Sequence, residues 1–392
     1  MTERRNLILV DARKARDFGI GTYIRGLLSG LAGLSRFQLQ ALVLPGDETL
    51  FPAGVTTTAC AAGHYSFGEL VAVRRAISRA GPDLFHAPHY VTPFFPPRAT
   101  VVTIHDLMHL TRPEHASPSK RAYARWMIGR ALRLPARVIA VSEATKKEIL
   151  AFGPPRGLQV EVIPNGVEER FLLEGEEKNA AARQAPAVLS TILPFKESSS
   201  YSYLLFLGND KPHKNLGGLL AAWPRVRAAH PGLSLVLAGV EPAGALPEGA
   251  KAAGRVPEKD VPALLAGARA LVLPSLAEGF GLPVLEAQAA GTPVACSDLP
   301  ALREAAGDAA VFFDPHDVAS IAAALGALLG DEEKRDLLRK RGRERALQFT
   351  WSRTAERTAR IYDSVLSAFK EEPSPPEPKH DSPHSGAKDS SS

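Results

Sequence analysis

Apolar residues fall along this chain in short solid runs separated by longer stretches of helical spacing. In the first half, "NLILVDA" (6–12), "LQALVL" (39–44), "PDLFHAP" (82–88), "ATVVTIHD" (99–106) and "RVIAVS" (137–142) are apolar almost throughout. That is the pattern of strands covered on both faces. Between them "IGTYIRGLLSGLAGL" (20–34), "FGELVAVRRAISRAG" (67–81), "SPSKRAYARWMIGRALRL" (117–134) and "SEATKKEILAF" (142–152) repeat at helical intervals. The alternation restarts after residue 200 with strands at 203–208, 233–240, 269–275 and 292–297. Helices are predicted at 215–230, 283–290, 316–330, 331–349 and 351–369. Strands alternating with helices predict α/β architecture with a parallel sheet, here as two doubly wound, Rossmann-like units facing across a cleft.

The stretch between the units, "EGEEKNAAARQAPAVLSTILPFKESSS" (174–200), is Ala-rich and polar and reads as a linker or surface insertion. The expected organisation is a first domain over 1–170, a linker over 171–200 and a second domain over 201–350. A final helix over 351–369 and a disordered Pro/Ser-rich tail over 370–392 complete it.

Composition narrows the class. The chain of 392 residues is long enough for two or three domains, and 45% hydrophobic with 23% charged residues is ordinary for a soluble globular protein. No secretory signal or run of about 18 apolar residues is present, which predicts a cytoplasmic protein. Cys60 and Cys296 read as reduced core residues, and no Cys/His spacing suggests a metal site. Residues 1–170 carry 22 Lys/Arg against 14 Asp/Glu, a balance of +8, whereas the remainder carries 25 against 28, or −3. Such a split fits an anionic partner or membrane surface, and equally an arginine-rich solvated face. Lys120, Arg121, Arg125, Arg130, Arg133 and Arg137 contribute much of it. No nucleic acid is expected as a partner.

Candidate chemistry concentrates in "EGFGLPVLEA" (278–287). Pro283 suits a first helical turn, so 276–282 is the loop leaving a strand at its carboxyl end, where open α/β sheets bind ligands. Gly279 and Gly281 let a backbone approach a ligand closely. Glu278 in the loop and Glu286 in the helix suit the hydroxyls of a sugar or ribose. The alternative is that Glu286 merely complements the helix dipole while Glu278 is solvated. Gly19 and Gly21 in "DFGIGTY" free a helix N-terminus for a phosphate. A dinucleotide fingerprint would need a third glycine where Ile24 stands, which weakens an oxidoreductase reading.

The segment "PSLAEGFGLPVLEAQAAGTPVACSDLPALREAAGDAA" resembles the donor-site signature of retaining glycosyltransferases of family 4, which have the GT-B fold. "GIGTYIRGLL", "DLFHAPHYVTP", "TIHDLMHLTRPEH", "VIAVSEATKKEI", "VIPNGV", "GNDKPHKNLGGLLAAW" and "FTWSRTAERTARIY" are similar to the same family, in the family's order, over about residues 6 to 366. The resemblance implies that Glu278 contacts donor-sugar hydroxyls and that the backbone of Gly279, Phe280, Gly281 and Leu282 lines sugar and phosphate. It implies that Glu286 holds the ribose, Lys214 neutralises the diphosphate and His105 lies near the reacting carbon. The Gly19–Gly21 loop is implied to face the phosphates. The family often has an arginine where Asn209 stands, and Lys211 is the candidate for that second cation. His86 and His89 are expected to line the acceptor side or order its loops, and Glu304 to be structural. The final helix is expected to cross back onto the first domain.

The implied reaction is retaining transfer of a sugar from a GDP-sugar or UDP-sugar, with mannose favoured, to a glycan or lipid-linked acceptor. No metal is expected, since no Asp-x-Asp element accompanies the donor motif. Catalysis is expected from His105 and Glu278. A non-catalytic sugar-nucleotide sensor and a Rossmann oxidoreductase are the alternatives from other classes.

Overall fold

The computed structural model describes residues 4–62, 67–111, 118–192, 202–241 and 244–370. Two wholly parallel sheets organise them. The first contains β1 (Leu7–Asp11), β2 (Gln38–Val43), β3 (Val55–Ala59), β4 (Leu84–Ala87), β5 (Thr100–Ile104), β6 (Arg137–Ala140) and β7 (Val160–Val162). Its spatial order is β3-β2-β1-β4-β5-β6-β7. Helices α1 (Ile20–Leu34), α2 (Phe67–Ala80), α3 (Met108–Thr111), α4 (Pro118–Ala131) and α5 (Glu143–Phe152) connect these strands. The second sheet contains β8 (Tyr203–Leu207), β9 (Ser234–Ala238), β10 (Ala250–Gly254), β11 (Ala270–Leu273), β12 (Val294–Ser297) and β13 (Val311–Phe313), in the order β10-β9-β8-β11-β12-β13.

Strand order reverses between β1 and β4 in one sheet and between β8 and β11 in the other. Crevices form at such points because the crossovers leave to opposite sides. The loops after these four strands carry Gly19, His89, Lys214 and Glu278.

The stretch read as a linker or surface insertion is helical over most of its described residues. Residues Gly175–Ile192 form a helix, α6, whose Ala185 and Leu189 are buried. It packs on α8 (Val261–Gly267) so closely that a methyl group on Gly267 would lie 2.5 Å from the Ala185 Cβ. Leu189, Phe171 and Val167 all join the core of the second sheet. The composition misleads because Ala, Glu, Lys, Arg and Gln are strong helix formers. Ala185 and Leu189, one turn apart on the same face, dock it. Residues 193–200, and the tail from 371 onward, lie outside the described residues.

Helices α7 (Leu216–Ala229), α9 (Leu282–Ala289), α10 (Pro300–Ala306), α11 (Val318–Leu329) and α12 (Glu332–Ala346) complete the second unit. The last helix, α13 (Trp351–Lys370), returns to the first. Trp351, Ala355, Ala359, Tyr362 and Leu366 belong to the same core as Ile8, Tyr23 and Leu27. The contact depends on glycines one turn apart on α1. A methyl group on Gly26 would sit 2.1 Å from the Trp351 ring, and one on Gly30 would sit 2.6 Å from the Trp351 carbonyl oxygen. Either would drive the helices apart, a change that costs about 1–3 kcal/mol in a packed core. His86 lies under this helix, with Nδ1 2.6 Å from the Tyr362 hydroxyl and Nε2 2.9 Å from Thr103 Oγ1. It is therefore a core residue, and of the two expected roles, lining the acceptor side or ordering its loops, the first is corrected. Its position on a fully buried strand turns it inward.

Candidate active site

Lys214 and Glu278 come together from loops 64 residues apart. The Lys214 ammonium donates to Glu278 Oε1 at 2.7 Å, and the Ser275 hydroxyl donates to the same oxygen at 2.7 Å. Lys214 ends a one-turn helix, Pro212–Lys214, directly after β8. Glu278 follows β11, the neighbouring strand. The two side chains are largely sheltered, at 14% and 10% exposure, so the pair is stronger than one in open water. Glu278 Oε2 is left as an acceptor, and the ammonium has two further protons to give.

Lys211 stands apart from this pair, exposed at the cap of the one-turn helix, where its backbone N–H donates to Asn209 Oδ1 at 3.2 Å. Asn209 thus shapes the loop and carries no charge of its own. Phe280 and Leu282 are buried with Val141, Leu285 and Ala305, so only their backbone can meet a ligand. Gly281 caps α9 with a left-handed φ of 112°.

Gly279 joins the two halves. A methyl group there would lie 1.9 Å from the His105 carbonyl oxygen. Its own carbonyl accepts from the Ser142 hydroxyl at 2.6 Å, and the Thr145 hydroxyl lies 3.1 Å from both the Gly279 and His105 carbonyls. Ser142 is the N-cap of α5, accepting from Thr145 N–H at 3.0 Å. Glu304 of the second unit reaches the same helix end. Both its oxygens accept from Glu143 N–H at 2.9 Å. A carboxylate at a helix N-terminus meets unsatisfied N–H groups and a favourable dipole. Glu304 is structural as expected from the motif, but the helix it caps belongs to the opposite domain.

His105 directly follows β5 and is half-buried. Its Nε2 lies 2.9 Å from the Pro88 carbonyl, which can only accept, so Nε2 carries the proton and Nδ1 is an acceptor. Burial lowers its pKa to about 4, with the Pro88 bond opposing, and the ring is neutral at neutral pH. The Tyr23 ring meets its edge at 4.8 Å. Gly19 caps α1 with φ 70°, and Gly21 is buried against the 14–15 backbone.

Glu286 is half-buried on α9. Its carboxyl is pushed up to about 7, first by burial, then by the carboxylate of Glu168, against the opposing Arg170 and with a further rise from Glu258. A ring of charges surrounds it. Arg170 donates to Glu168 at 3.0 Å, and Arg25 of α1 donates to Glu258 at 2.9 Å.

Sequence reasoning missed a buried ion network behind the first-domain loops. Arg13 donates to both oxygens of Asp11, at 2.8 and 2.7 Å, and to Glu69 at 2.9 Å. Asp11 is held below the usual carboxylate range: burial alone would raise it, and Arg13 overrides that. His89 joins the network's edge, with Nε2 3.8 Å from Asp11 and Nδ1 accepting from Val91 N–H at 3.1 Å. The signal available was charge in an otherwise apolar strand end, "VDARK" (10–14). Among the described residues, no group of three or more His, Cys, Asp or Glu side chains is gathered as metal ligands would be.

Residues 19–171 match the family described as Glycosyltransferase Family 4, and residues 193–345 match the one described as Glycosyl transferases group 1. The chain is 29% identical over 294 residues to the O-antigen chain mannosyltransferase B of Escherichia coli, covering 71% of this chain and 74% of that one. It is 31% identical over 217 residues to the phosphatidyl-myo-inositol mannosyltransferase of Mycolicibacterium smegmatis, covering 53% of this chain and 52% of that one. Among solved structures, sucrose-phosphate synthase from Thermosynechococcus elongatus superposes with a TM-score of 0.76 at 20% identity, over 93% of this chain and 100% of that chain, a likeness of fold.

Proposed function

The chain belongs to glycosyltransferase family 4, and from that premise we propose that it moves a sugar from a nucleoside diphosphate to a glycan or lipid-linked acceptor, with retention of anomeric configuration. The observation that carries this reading is the Lys214–Glu278 pair at the switch point of the second sheet, one residue from Gly279, which packs on the His105 carbonyl of the first domain. It puts a cation for the departing diphosphate beside a carboxylate for sugar hydroxyls.

The chemistry follows from those groups. The bond from the anomeric carbon to the phosphate oxygen breaks, and its electron pair leaves with the diphosphate. The acceptor oxygen forms its bond on the same face, and its proton passes to the departing phosphate oxygen. Lys214 and the N–H groups of 279–282 hold the charge that develops, and such fixed donors are where most transition-state stabilisation arises. Glu278 orients the sugar through its hydroxyls, and the neutral His105 accepts a hydrogen bond from a hydroxyl at Nδ1. Glu286, on the next helix, takes the ribose. This scheme needs no metal, because Lys214 and the backbone supply the positive field.

Mannose is the favoured sugar, since both named relatives are mannosyltransferases. GDP-sugars and UDP-sugars are the donor range. The basic first domain favours an acceptor presented at an anionic membrane surface, with the enzyme cytoplasmic and peripheral. Among the described residues no helix is long and apolar enough to cross a membrane. Calorimetric titration with GDP-mannose, UDP-glucose and the free diphosphates tests the donor reading. Binding of at least one donor, weakened in Lys214→Ala, is expected, and no binding by any would overturn it.

A further inference from the structure

The first domain carries an aromatic and arginine surface that sugar transfer does not require. Phe94 lies 6.5 Å from Phe95 and 6.4 Å from Trp126, and Trp126 lies 6.3 Å from Tyr123, measured between ring centres. The Arg130 guanidinium sits over Phe94 at 5.0 Å and over Trp126 at 5.2 Å, and donates to the Pro93 carbonyl at 2.9 Å. Two of these rings face water. Phe95 is 81% exposed and Trp126 41%. Phe95 also has a φ of 47°, a left-handed conformation that is unfavourable for a bulky side chain. Neither core packing nor backbone preference accounts for an aromatic ring held outward there.

The segment that carries Trp126 has charge of one sign. Residues 118–142 contain six Lys/Arg and no Asp/Glu, and Arg125 and Arg133 are exposed beside Trp126 and Leu134. Two rings and a leucine are too little for the apolar centre of a stable protein interface, which takes about 800 Å² from each partner. They are sufficient for an interfacial anchor, in which amphipathic rings sit at headgroup depth and arginines meet lipid phosphates.

The patch is also tied to the cleft. Pro88 and His89 leave β4 beside His105, and the same loop runs on to Phe94 and Phe95. Leu70, Val91 and Met127 lock it against α2 and α4. We propose that Phe95 and Trp126, bordered by Arg125, Arg130 and Arg133, seat the first domain on an anionic lipid bilayer and hold the acceptor side of the cleft against it. The proposal rests on the membrane-borne acceptor argued above and names the surface that reaches it.

The chain has three tryptophans, and the other two, Trp223 and Trp351, are 0% and 8% exposed, so Trp126 reports on the patch. The full-length protein is titrated with vesicles of phosphatidylcholine, with and without phosphatidylglycerol, at low and high salt. Emission, quenching by brominated acyl chains and co-sedimentation are read together. With anionic vesicles at low salt the emission is expected to shift to shorter wavelength and to be quenched. Replacing Arg125 and Arg133 by Gln should weaken binding about thirtyfold, from the usual contribution of each basic residue near such a surface. Phe95→Asn should weaken it roughly tenfold through lost ring burial, with an unchanged or raised Tm, since Asn accepts the left-handed backbone. Binding without any change in emission, a shift that persists in Trp126→Phe, or variants that bind like wild type would overturn the proposal. Nucleotide release from donor is measured on the same preparations without vesicles. Donor turnover without vesicle binding overturns the docking and leaves the transferase reading standing, and vesicle binding without donor turnover does the reverse.

Discussion

Replacing Glu286 by Gln isolates the carboxylate proposed to hold the ribose. In the folded protein its pKa rises from 4.5 to about 7, chiefly by burial. The fold therefore binds this proton more tightly than the unfolded chain does. Its contribution favours folding below about pH 4.5 and is lost as the pH climbs through about 7. The gap corresponds to roughly 3 kcal/mol when fully developed. Between about pH 5 and about pH 8 the part that changes is about 2 kcal/mol. Gln mimics the protonated acid, so wild type and variant should be nearly matched near pH 5, with the variant more stable by roughly 2 kcal/mol near pH 8. Urea unfolding, run on both proteins at the two pH values, reads this difference, and effects from groups not coupled to Glu286 cancel. The same substitution should weaken nucleoside diphosphate binding by roughly 1.5–3 kcal/mol near pH 8, because a charge-assisted hydrogen bond to ribose is lost. Parallel stability profiles would refute the burial argument. Equal diphosphate affinity would refute the ribose assignment.

Lys214→Ala should lower nucleoside diphosphate affinity by roughly 1.5–3 kcal/mol in calorimetry and slow turnover. Unchanged affinity would hand the role to Lys211 or another cation. Gly279→Ala pushes a methyl group into the His105 carbonyl. Its kcat should fall roughly ten- to hundredfold by the overpacking scale, with diphosphate affinity within a few fold of wild type, and an unaltered kcat would show that this contact is dispensable. Turnover should survive EDTA, and a complete loss restored by Mg²⁺ or Mn²⁺ would overturn the metal-free scheme.

The parts of the fold legible in the sequence are those buried on both faces. β1, β5, β8 and β11 are solid apolar runs because helices cover both sides of them. The strands β3, β10 and β13 escape because they lie at sheet edges. There "VTTTA" and "AKAAG" are half-exposed and need no apolar run. Helix α6 escapes for a different reason: an alanine-rich segment needs few apolar positions to dock, and composition alone does not separate that from a linker. Within the candidate site, Glu278, Gly279 and Lys214 are legible from motif and loop position. That Lys214 pairs with Glu278, and that Glu304 caps α5, are tertiary facts joining segments 64 and 161 residues apart. That Glu69 joins Asp11 and Arg13 is invisible for the same reason, since nothing near residue 13 announces residue 69.

Proton NMR of the full-length protein incubated with GDP-mannose, and in parallel with UDP-sugars, tests the central claim most directly. The account predicts that one donor is consumed, that nucleoside diphosphate appears, and that the sugar's anomeric proton keeps the donor's configuration in the product. Lys214→Ala and Glu278→Gln should slow that conversion. Inverted configuration in the product, or donors that stay intact at every acceptor supplied, would contradict it.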